Sequence, residues 1–98
     1  MLRAYLLSYD IADQKRLRKM HTLAKAFGRP LQYSVFACFL RREDRVRLAA
    51  RVEALIDVKR DRVIILDIGT VADRESWIAP MQVFGCQEIA QERSAIII

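Results

Sequence analysis

The chain has 98 residues, 53% of them hydrophobic and 30% charged, and a formal net charge of +5. That is enough for one globular domain with a modest core, and it excludes a disordered chain or a pair of domains. No apolar run approaches the roughly 20 residues of a bilayer span. Met1-Leu2-Arg3 leads straight into a strand-like stretch without a cleavable leader, so a cytoplasmic chain with no membrane partner is expected. Cys38 and Cys86 lie far apart with no C-x-x-C pattern, as expected of two reduced thiols.

The charge is unevenly spread. Residues 1–62 hold 15 Lys/Arg against 7 Asp/Glu, and residues 63–98 hold 2 against 5. A cationic surplus on the part that carries most of the fold points to a polyanionic partner.

Leu2 to Tyr9 reads as a short buried strand. Asp13 is a candidate N-cap, and Leu17, Met20, Leu23, Ala24 and Phe27 fall at helical spacing. Gly28 is placed to end that helix, and Pro30 blocks its resumption. Leu31 to Leu40 is rich in β-branched and aromatic residues and is long enough for one bent strand or two short ones. No Gly or Asn marks a hairpin inside it, so both remain open. Tyr33, Phe36 and Phe39 sit there at strand spacing and suit core or dimer packing. Glu43 to Ile56 reads as a second helix with Leu48, Val52, Leu55 and Ile56 inward, and Val63 to Ile68 as another strand.

This order, folded with right-handed crossovers, is an α+β, ferredoxin-like βαββαβ domain over residues 1–68 with both helices on one sheet face. The other face is left open for a second copy. Residues 69–98 form a C-terminal extension. Met81 to Phe84 is a candidate extra strand stopped by Gly85, and the apolar Ala95-Ile96-Ile97-Ile98 suits an edge strand packing on the dimer or a partner.

Asp10 stands where the first strand meets a loop. Open α/β sheets present functional groups at the carboxyl ends of their strands. An acid there is a metal or substrate ligand, or a local turn-former. The first helix opens Lys15-Arg16-Leu17-Arg18-Lys19, four cations at a helix N-terminus that itself favours anions. Arg41, Arg42, Arg45, Arg47 and Arg51 follow on the second helix. Arginine outnumbers lysine 13 to 4, and guanidinium forks match phosphate well. His21 is a lone mid-helix histidine suited to a structural or solvated role. Zinc spacing, a phosphate loop and a dinucleotide fingerprint are all absent.

These segments, taken in order, resemble the CRISPR-associated protein two family, the small subunit of the spacer-adaptation machinery. The matching residues are Ser8-Tyr9-Asp10-Ile11, Asp13 to Lys19, Leu31-Gln32-Tyr33-Ser34-Val35-Phe36, Leu55-Ile56-Asp57 and Asp61-Arg62-Val63. The resemblance implies a homodimer with its sheets packed face to face. It makes Asp10 the catalytic acid and a ligand of Mg²⁺ or Mn²⁺, facing its twin across the two-fold axis. It further implies endonuclease action on RNA or DNA, bridging of CRISPR integrase subunits, and a grip on duplex DNA. The cations expected to bind nucleic acid are Lys15, Arg16, Arg18, Lys19, Arg42 and Arg45. Two other readings compete: a toxin-like ribonuclease of the same fold, and a ferredoxin-like regulatory domain binding a small metabolite.

Overall fold

The computed structural model describes residues 1–86. Its elements are β1 (Arg3–Asp10), α1 (Gln14–Phe27), β2 (Gly28–Gln32), β3 (Val35–Leu40), α2 (Arg42–Leu55) and β4 (Arg62–Thr70). The four strands form one antiparallel sheet in the order β2-β3-β1-β4, the ferredoxin-like arrangement expected.

The boundaries follow from local chemistry. Asp13 caps α1, its carboxylate accepting from the Arg16 backbone N–H at 3.0 Å. Gly28 ends the helix with extended backbone and leads directly into β2. The Leu31–Leu40 stretch resolves into two strands that turn at Tyr33 and Ser34. α2 begins without a side-chain cap, and Glu43 and Asp44 in its first turn favour the N-terminal dipole instead.

Side chains alternate across the sheet. Tyr5, Leu7 and Tyr9 of β1 and Phe36, Cys38 and Leu40 of β3 join Met20, Leu23, Ala24, Leu48 and Val52 of the helices in the main core. Burial pushes the Cys38 thiol up to about 11. His21 lies in this core too, its Nδ1 paired with the Tyr9 hydroxyl at 3.0 Å and its ring stacked on Tyr33. It is a structural residue, and burial, then the Lys25 charge, holds its imidazole below the usual histidine range.

On the opposite face, Ala4, Ala37 and Phe39 form a smaller cluster with Val71 and Trp77 of the following connector. Beyond it that face is uncovered: Ile64 and Leu66 of β4 are about half exposed. Residues 81–84 make no ladder with the other described residues, and a strand exists only by pairing with an edge. The edge-strand expectation for residues 95–98 lies outside the described residues.

Candidate nucleic-acid interface and strand-end carboxylate

Because β1 alternates, Leu6, Ser8 and Asp10 share the uncovered face. Their partners across the ladder are Leu66, Ile64 and Arg62. Asp10 is exposed, and no hydrogen bond or ion pair engages its carboxylate among the described residues. It therefore stands at the end of an apolar strip, with the exposed Arg62 directly opposite it.

The chain just after Asp10 is held by a residue 51 positions later in the sequence. Asp61, in the loop before β4, has a side chain with no solvent exposure. Its carboxylate accepts from the backbone N–H of Ala12 at 2.9 Å and of Asp57 at 2.9 Å. It also accepts from Arg16 Nε at 2.6 Å and Nη2 at 3.1 Å. One acid thus joins the exit of β1, the first turn of α1 and the end of α2. Chiefly the Arg16 guanidinium, and then the two backbone N–H groups, hold this carboxyl well below the usual carboxylate range. In the sequence Asp57 to Asp61 reads as a polar turn, which by itself does not show this role for Asp61. An acid immediately before a strand, facing the donors of an earlier strand-to-helix junction, was the signal available.

The expected cations are sorted by this geometry. Lys15, Arg18 and Lys19 are exposed on the first turns of α1, at the Asp10 end. Arg16 is on the same turn, but two of its donor nitrogens are spent on Asp61 and its side chain is only 22% exposed. It braces the site instead of standing free for phosphate. Arg42 and Arg45 are at the other end of the molecule. β3 runs away from Asp10, finishing where Leu40 faces Arg3, and α2 starts there. The eight residues of β1 put roughly 26 Å between the two ends. Arg45 acts on Asp67 of β4, whose carboxyl is lowered first by its bond with Arg3 at 2.9 Å, then by the Gly69 backbone N–H, and last by the Arg45 charge. In their stead, Lys59, Arg60 and Arg62 are exposed at the Asp10 end, contributed by the α2–β4 loop and the start of β4.

Among the described residues no group of three or more His, Cys, Asp or Glu is placed to hold a metal ion. Asp10 offers a hard oxygen ligand open to solvent. Mg²⁺ commonly takes one or two protein carboxylates and completes its shell with water and phosphate. Asp10 fits that pattern as one such ligand, with a second left to another copy of the chain.

Fold and site together define a ferredoxin-like α+β domain with an exposed strand-end carboxylate flanked by cations. A family model for CRISPR associated protein Cas2 matches residues 3–75. A protein from Rhodospirillum rubrum named CRISPR-associated endoribonuclease Cas2 1 is 38% identical over 95 residues, which is 97% of this chain and 90% of that protein. One of similar name from Geobacter sulfurreducens is 38% identical over 65 residues, 66% of this chain and 68% of its own. Among solved structures, a hypothetical protein from Thermus thermophilus superposes with a TM-score of 0.74 at 28% identity, covering 90% of this chain and 96% of its own. Streptococcus pyogenes Cas2 superposes with a TM-score of 0.67 at 25% identity, covering 84% and 99%. The chain belongs to the CRISPR-associated protein Cas2 family.

Proposed function

We propose that the chain works as a homodimer that binds duplex nucleic acid and bridges integrase subunits during CRISPR spacer acquisition. The observation that carries this reading is a shared edge. The half-exposed Ile64 and Leu66 run beside the exposed Asp10, and the free cations of α1 begin five residues later, at Lys15. A second copy covering the apolar strip removes it from water and sets two Asp10 carboxylates and two α1 faces along one surface. Lys15, Arg18 and Lys19 then track a phosphate backbone without reading sequence.

A second activity, metal-dependent cleavage of phosphodiester bonds, is favoured by the exposure of Asp10 and by the relatives named as endoribonucleases. Asp10 and its twin would hold Mg²⁺ or Mn²⁺. When bound, such an ion lowers the pKa of a coordinated water and steadies charge on an attacked phosphate. Asp10 serves there as ligand, Asp61 and Arg16 keep its strand end in register, and the α1 cations hold the substrate backbone. No side chain beside Asp10 among the described residues is arranged as a separate general base, so binding and bridging stand as the main role.

The test pairs two measurements. Pull-down with the neighbouring integrase, with and without duplex DNA, should recover a complex. Spacer acquisition in cells should survive Asp10→Ala and fail in Lys15→Gln/Arg18→Gln/Lys19→Gln. Loss of acquisition in Asp10→Ala with the complex intact would make cleavage the primary function.

A further inference from the structure

A cationic cleft lies at the opposite end of the molecule from Asp10, where α1 ends and α2 begins. It has two adjoining parts of about 400 and about 310 Å³ that share Phe27, Phe39 and Arg74 on their walls. Lys25 and Arg29 line the first, and Arg47 and Arg51 the second. Five cations therefore face two carboxylates, Asp44 and Glu75. Asp44 is already paired with Arg47 at 3.1 Å. Lys25, Arg29, Arg51 and Arg74 have no ion-pair partner among the described residues. None of the five belongs to the α1 face that serves the duplex.

The cleft is built by long-range packing. Trp77 docks edge-on against Phe39 with ring centroids 5.0 Å apart, and this brings Arg74 of the connector over the end of α1. The Arg29 guanidinium lies 5.1 Å from the Phe39 ring and 5.8 Å from the Trp77 ring. Contact with a ring occupies the face of a guanidinium and leaves its in-plane N–H donors to find an acceptor. Arg47 sits over Phe27 in the same way, at 6.0 Å.

Four cations without an ion-pair partner among the described residues, around a cleft with aromatic walls, call for a ligand with several anionic oxygens. A B-form duplex, whose major groove alone is about 12 Å wide, lies on a surface and does not enter a space of this volume. A single sugar–phosphate strand does enter, and cationic grooves with aromatic walls are the usual way to hold one. We infer that this cleft binds an unpaired nucleic-acid strand, with Arg51 and Arg74 contacting its phosphates and Arg29 held ready on Phe39 and Trp77. The inference deepens the proposed function by adding a second, structurally separate contact for the strand ends of the same nucleic acid.

The full-length protein is titrated with a labelled oligonucleotide, first as a single strand and then annealed as a duplex, over a series of salt concentrations. The variants are Arg51→Gln/Arg74→Gln and Lys15→Gln/Arg18→Gln/Lys19→Gln, all exposed positions. The cleft variant should weaken single-strand binding about tenfold and lower its salt slope by about 1.4, two lost phosphates at about 0.7 each, with duplex binding unchanged. The α1 variant should do the reverse. Unchanged single-strand affinity in the cleft variant, equal losses on both probes, or a wild type that does not hold the single strand would overturn the inference. A wild type that holds the single strand through Arg51 and Arg74 and ignores the duplex would keep the cleft and remove the duplex reading.

Discussion

Arg16 and Asp61 are 45 residues apart in sequence and meet through two nitrogen–oxygen contacts, the shorter 2.6 Å, beneath the end of β1. The pair converts a cation of the expected phosphate-binding face into a strut for the loop that follows Asp10. Asp61→Ala leaves the Ala12 and Asp57 N–H groups and the Arg16 guanidinium without their acceptor. Each lost buried partner costs about 1–3 kcal/mol. Thermal melting should therefore show a drop on the order of 10 °C, at roughly 4–8 °C per kcal/mol for a chain of this size. Asp61→Asn keeps one acceptor oxygen and should fall between. An unchanged Tm for Asp61→Ala would remove the strut.

Two acid limbs should appear in stability against pH, and they should be separable. His21 is held below its ordinary range, so the unfolded chain binds its proton more readily than the folded one. The contribution is complete above the unfolded value near pH 6.5 and is lost as pH falls through the lower folded value. Asp61 is also lowered, and its contribution is complete above its unfolded value near pH 4 and is lost in stronger acid. Melting in steps from pH 7.5 to 3 should show a first decline below about pH 6.5. His21→Phe should flatten that first decline and leave the second; Asp61→Asn should do the opposite. A first decline that persists undiminished in His21→Phe would assign it to another group.

The outline of the domain was legible in the sequence where local rules decide. Asp13 and Gly28 bound α1 because a cap needs a side-chain acceptor and the chain needs room at the exit. Leu48 and Val52 are buried because they share a face of α2. The β2–β3 turn at Tyr33 and Ser34 was not legible: neither residue carries the glycine or asparagine signature of a tight hairpin. The roles of the cations were not legible either, since they depend on distant partners. Arg16 is engaged by Asp61, and Arg42 and Arg45 are carried by β3 to the end opposite Asp10. The resemblance located Asp10, but what steadies it became visible only when the exit of β1, the first turn of α1 and the end of α2 met at Asp61.

Gly28 tests how closely α1 and β3 approach. Its backbone is extended, which any residue adopts, so space alone decides. A Cβ there would meet the Ala37 carbonyl oxygen at 2.5 Å and Cys38 Sγ at 2.6 Å. Gly28→Ala should cost about 1–3 kcal/mol through forced displacement of β2 from β3. Denaturant unfolding measures it, and a midpoint equal to wild type would show that the hairpin gives way freely.

The paired-acid reading makes a prediction about metal. If Asp10 and its twin share an ion, Mg²⁺ or Mn²⁺ should raise the Tm of the wild-type dimer relative to chelator, by about 2.7 kcal/mol of apparent stability at 100 times the dissociation constant. Asp10→Asn should abolish the metal response and leave the metal-free dimer at least as stable, because it removes repulsion between like charges. A wild type whose melting ignores both ions would leave the cleavage reading without a site.

The central claim is that exposed cations of α1 hold duplex backbone on a dimer, and the salt dependence of duplex affinity tests it most directly. A dimer that neutralises six to ten phosphates should lose roughly 10³–10⁵-fold in affinity between 50 and 200 mM salt. Lys15→Gln/Arg18→Gln/Lys19→Gln should cut the slope of log affinity against log salt by several units, while Asp10→Asn should leave it alone. A wild-type affinity that is flat with salt, or a slope unaltered in the triple variant, would contradict the account.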